Sequence, residues 1–76
     1  MSSKLLQECG EALYGPRWQT DLANDIGVSD RTMRRWAAGI DDPPPGVYFD
    51  LLRLTQERAM MLDALADRLK IMSASA

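Results

Sequence analysis

Apolar residues near the start of the chain recur at spacings of three and four. Leu5, Leu6, Cys9, Ala12 and Leu13 share one face, which predicts an amphipathic helix from Ser3 to about Tyr14. Gly15-Pro16 ends it. Proline is tolerated in a first helical turn, so a second helix is expected from Pro16 through Ile26, with Trp18, Leu22, Ala23 and Ile26 inward. Gly27 supplies its stop. Ser29 is placed to cap a third helix from Asp30 to about Ala38, and Gly39 marks that helix's end. Asp41-Asp42 and three consecutive prolines make residues 41–46 a stiff connector. Beyond Val47 neither proline nor glycine interrupts a run of good helix formers, predicting one helix of about 25 residues and about 37 Å over residues 47–72. The tail Ser73–Ala76 is expected to fray. The fold class expected is all-α: four helices in one domain, a three-helix core over residues 1–40 and one long C-terminal helix.

Composition narrows the function classes. At 76 residues, 46% hydrophobic and 26% charged, the chain reads as one small globular domain. It would bury only about 60% of its unfolded surface, too little for a deep catalytic pocket. With no histidine and the single cysteine Cys9, it has no intramolecular disulfide, no usual zinc-ligand set and no histidine general base. No enzyme, metal, cofactor or small-molecule ligand is expected. Met1 to Leu6 is too short an apolar run for a signal peptide, and no stretch approaches about 20 apolar residues, so a cytoplasmic location without a membrane span is expected. The net charge of −2 argues against indiscriminate nucleic-acid binding and moves attention to local charge.

Local charge concentrates on the third predicted helix. Taking Met33 as zero and about 100° per residue, Trp36 and Ala37 lie within about 60° of it and form the inward side. Arg31 and Arg35 then point away from the core, Ala38 shares that outward side, and Arg34 lies on the flank. Asp30 is the only acid between Ser29 and Gly39, while Asp41, Asp42, Asp50, Glu57, Asp63 and Asp67 outweigh Arg53 and Arg58 further on. The guanidinium fork matches O6 and N7 of guanine, the commonest specific major-groove contact. Arg31, Arg35 and Arg34, with Asp30 as an acceptor for cytosine N4 and Ala38 allowing close approach, form the candidate base-reading set. The competing reading is a solvated face whose arginines pair with nearby carboxylates.

Within residues 19–38, Gln19, Ala23, Gly27, Val28, Met33 and Trp36 fall at offsets that suit two helices crossing through a short turn: a small residue at the crossing, a glycine in the turn and apolar plugs on the second helix. On these residues the segment Arg17–Gly39 resembles the lambda-repressor/Cro-type helix-turn-helix family, most of all the short regulators carried by phages, prophages and other mobile elements, some of them autorepressors encoded beside anti-CRISPR genes. The resemblance implies a sequence-specific binder of double-stranded DNA, acting as a repressor by occupancy. It implies that Gln19, with Arg17 and Thr20 beside it, grips a phosphate at a helix N-terminus. The alternative for Gln19 and Thr20 is that they merely satisfy first-turn amides, and Thr32, on the flank opposite Arg34, reaches backbone phosphate or nothing. The sequence departs from the family after the motif, where a connector and one long helix replace the usual compact helices. Trp18 and Trp36 stand at core spacing rather than as stacking platforms, and Tyr48 and Phe49 are expected to anchor the long helix.

That helix carries Leu51, Leu54, Arg58, Met61, Leu65 and Met72 in one seam, with Leu52, Ala59, Leu62, Ala66 and Leu69 beside it. Apolar residues occupy more of its circumference than a small core can cover. A second copy is the simplest cover, through Met61, Leu62, Leu65 and Leu69, in parallel or antiparallel orientation; the alternative is a helix folded back over its own domain with a frayed end. A homodimer implies an inverted-repeat operator with half-site centres about 34 Å apart or a multiple of that. The acidic balance and the Met-rich helix also fit a different function, a protein-protein inhibitor or adaptor of anti-CRISPR or antitoxin type.

Overall fold

The computed structural model describes residues 2–75 and is all-helical, with α1 at Ser2–Tyr14, α2 at Trp18–Ile26, α3 at Asp30–Ala37 and α4 at Pro45–Ser75. Leu6 and Leu13 of α1, Trp18, Leu22 and Ala23 of α2, Met33 and Trp36 of α3, and Val47 and Leu51 of α4 form one buried cluster. Cys9, Tyr14, Ile26, Val28, Ala37, Tyr48 and Leu54 pack around it. Burying each large apolar side chain contributes about 1.5–3 kcal/mol.

Several boundaries differ from the sequence reading. α2 begins at Trp18, because Gly15 in the left-handed region (φ 85°) and the turn at Pro16 and Arg17 reverse the chain. That reversal sets the Trp18 ring against Gly10: a Cβ built there would lie 2.2 Å from Cε3 of Trp18. The inward face of α1 is therefore Leu6, Cys9, Gly10 and Leu13, while Leu5 and Ala12, expected inward, are exposed. α3 stops at Ala37, with Ala38 as its C-cap and Gly39 at φ 77°. α4 starts at Pro45 rather than Val47, since a proline loses nothing at a first helical position; the Val47 N–H then donates to the Pro44 carbonyl at 3.0 Å. The connector is correspondingly shorter.

At its other end α4 runs through Ser73–Ser75, expected to fray, and the Ser75 hydroxyl donates to the Ile71 carbonyl at 3.0 Å. Ala76 lies outside the described residues. Tyr48 packs on the core as expected, but Phe49 is exposed; Val47 and Leu51 are the anchors in its place.

Every residue from Ala59 to Ser75 is exposed. The molecule measures 52 × 22 × 22 Å with a radius of gyration of 15.4 Å, against about 11 Å for a compact chain of this length. A compact body with a helical overhang accounts for the difference. At the joint, Arg58 Nη1 donates to the Leu13 carbonyl at 2.7 Å, supplying a cation to the C-terminal end of α1. Its guanidinium lies 5.8 Å from the centre of the Tyr14 ring, and the Tyr14 hydroxyl donates to Asp25. This chain of contacts ties α4 to α1 and α1 to α2.

Candidate nucleic-acid interface

The turn between α2 and α3 holds the geometry that the sequence spacing called for. Gly27 caps α2 at φ 77°, and its N–H and that of Val28 both donate to the Ala23 carbonyl, at 2.9 and 3.0 Å. Ala23 itself is fully buried where α2 packs into the core. Ser29 Oγ accepts from the Thr32 N–H at 3.1 Å and its hydroxyl donates to Thr32 Oγ1 at 3.0 Å. A cap of this kind contributes about 0.5–2 kcal/mol. Thr32, a candidate phosphate contact, is thereby engaged in holding the start of α3.

With its start fixed by that cap and its inner face by Met33 (0% exposed) and Trp36 (6%), α3 has one rotation open to it. Arg31, Arg34 and Arg35 are left exposed, as is Asp30 in the first turn. Among the described residues the side chains of Arg31 and Arg34 make no hydrogen bond or ion pair. Arg35 does: its Nε meets Asp41 at 2.6 Å. That hydrogen bond holds the Asp41 carboxyl below its ordinary range and raises the Arg35 guanidinium above its own. The competing reading of a self-paired face therefore applies to Arg35 alone, through a carboxylate of the connector. Both partners are exposed to solvent, so water and salt screen the pair and a phosphate or base edge can exchange with Asp41. Ala38 lies at the end of the same helix, exposed.

Arg17, Gln19 and Thr20 sit together at the start of α2, with Gln19 half-buried and the other two exposed. Arg17 occupies the N-cap position, and no side chain there accepts from the first-turn amides. The N-cap residue therefore supplies no side-chain hydrogen bond to the first-turn N–H groups of α2.

Three residues that matter here escaped the sequence reading. Gly10 carries a local signal, since a glycine in a helix interior costs about 1 kcal/mol against alanine and so points to close packing. Asp41 stands in the connector six residues after Arg35, beyond a turn whose path only the fold supplies. Tyr14 ends α1, and nothing local in the sequence marks its partners Asp25 and Arg58.

Beyond α3 the described residues hold no group of three or more His, Cys, Asp or Glu able to bind a metal ion, and no helix long and apolar enough to cross a membrane. The large exposed apolar side chains concentrate on the overhang, including Met60, Met61, Leu62, Leu65, Leu69, Ile71 and Met72. Comparison of the chain with protein-family models, with curated proteins and with solved structures finds no match.

Proposed function

We propose that this protein is a sequence-specific double-stranded DNA-binding regulator, a small homodimeric repressor of a phage or mobile-element promoter, acting by occupancy and without enzymatic activity. One observation carries the reading: α3 is fixed by a capped start and a buried inner face, and it presents Arg31 and Arg34 outward with no partner among the described residues. Guanidinium groups on a rotationally fixed helix are suited to reading guanine edges. In this reading Arg31 and Arg35 contact bases, with Arg35 exchanging Asp41 for the duplex. Arg34 contacts an edge base or a phosphate, and Arg17, Gln19 and Thr20 position the backbone at the start of α2. Met61, Leu62, Leu65 and Leu69 join two copies, and the operator is an inverted repeat.

A protein-binding adaptor is the second reading, favoured by the overhang's exposed methionines, Met60 and Met61, and by the overall negative charge. Selection of bound sequences from random duplexes separates the two. Enrichment of an inverted repeat that is lost in Arg31→Ala supports the regulator; no enrichment above background overturns it in favour of the adaptor.

A further inference from the structure

The apolar stripe of the overhang is a continuation of the stripe that binds α4 to the body. At about 100° per residue, Val47, Leu51, Leu54 and Arg58 lie within about 40° of Leu65 around the helix, and Leu62, Leu69 and Met72 lie within about 60° of it. On the first half this face is covered: Val47 and Leu51 are buried, Leu54 packs against the core, and Arg58 bonds the end of α1. On the second half it is bare. Leu62, Leu65, Leu69 and Met72 follow one another at steps of three, four and three, the repeat of a two-stranded seam, and remain 43–67% exposed. Leu65, Arg68, Leu69 and Met72 line a groove of about 270 Å³ along it.

We propose that a second copy of this chain covers this seam in antiparallel orientation, with Leu62 against Met72 of the partner copy and Leu65 against Leu69 of the partner copy. The body excludes the parallel alternative. Packed helices lie about 8–10 Å apart, and on this face of α4, from Val47 to Arg58, that space holds α1. A partner helix running parallel would have to enter the same space. Running antiparallel, it lies only along the overhang and leaves past Ser75. The seam fits this direction, because both layers are symmetric about Asp67 and all four large residues find an apolar partner in one register. In that register residues 59–75 of the two copies lie alongside one another.

This inference rests on the α4 pairing proposed above and is independent of whether DNA is the ligand. In antiparallel pairing the two copies of position 62 stand about 15 Å apart along the axis, beyond the 4.4–6.8 Å between Cα atoms that a disulfide spans. In parallel pairing they face each other. On a Cys9→Ala background, Leu62→Cys and Met72→Cys chains, one of them tagged, are mixed in a glutathione redox buffer. The expected result is a mixed 62–72 disulfide with no 62–62 species. A 62–62 disulfide overturns the antiparallel arrangement while keeping the α4 pair. Sedimentation of the unmodified chain gives the other failure: a mass that stays at 8.5 kDa at tens of micromolar overturns the pairing itself.

Discussion

The two halves of α4 carry the same apolar face and meet opposite fates. Leu51 is 3% exposed and Leu65 is 43% exposed, although both stand on the same side of one uninterrupted helix. Helix propensity and hydrophobic period do not distinguish them. What differs is α1, which reaches only as far as Arg58. An apolar stripe on a helix therefore says that something must cover it, and only the positions of the other elements say whether the cover comes from the same chain.

Substitutions that place a charge on each half test this contrast most strongly. Leu51→Asp puts a carboxylate into the body's core; removing the packing there costs about 2–5 kcal/mol, against about 3–5 kcal/mol for the whole of so small a core. The chain is expected to lose its cooperative thermal transition by circular dichroism. Leu62→Asp with Leu65→Asp should leave that transition in place and give a monomer by sedimentation. Its affinity for an inverted-repeat duplex should fall by roughly 10²–10⁴, the gain that linking two modules supplies. If the overhang variant melts the body, the division of α4 into two halves is wrong.

A smaller effect sharpens the description of the body. Gly10→Ala improves helix propensity but drives a methyl group into the Trp18 ring, itself buried at 3% exposure. Overpacking of this kind costs about 1–3 kcal/mol, which lowers Tm by roughly 4–24 °C in a domain of this size. An unchanged or higher Tm would show that the ring can move aside.

On α3 the comparison is between one arginine and its neighbour. Arg31→Ala is expected to reduce discrimination between the selected duplex and a scrambled one by about 1–3 kcal/mol, roughly 5- to 150-fold. Arg34→Ala, on the flank, should weaken both duplexes alike. Equal discrimination by wild type and Arg31→Ala would remove Arg31 from the base-reading set.

The smallest effect concerns the joint between the halves. Burial, and then the hydrogen bond to Asp25, push the Tyr14 hydroxyl up to about 12 from an ordinary 10. The folded state therefore favours the neutral phenol. The stability this provides is complete below pH 10 and is lost as pH rises from 10 to 12, when the folded form must also release the proton. Alkaline melts of wild type and Tyr14→Phe should converge in slope except in that window. A phenylalanine variant with the same alkaline loss would assign it to another group.

Much of this was legible in the residues themselves. Gly15, Gly27 and Gly39 marked turns and took positive φ, Ser29 capped α3, and the spacing of Leu22, Ala23, Met33 and Trp36 identified the core, because turns and helix faces are local consequences of stereochemistry and period. The outward side of α3 followed from the same arithmetic. Pro45, read as connector, begins a helix, since proline at a first helical position and proline in a linker look alike in sequence.

The fold class, the four helices, the inward side of α3 and the apolar excess of α4 were determined by the order of residues alone. Tertiary structure decided the rest: that Trp18 lies on Gly10, that Arg35 meets Asp41 while Arg31 and Arg34 do not, that Tyr14 joins Asp25 to Arg58, and where α4 outruns its cover. Each of these contacts joins residues whose distance is set by the path of the chain through turns and packed faces. Local period fixes which way a side chain points from its helix, and only the assembled helices fix what it meets.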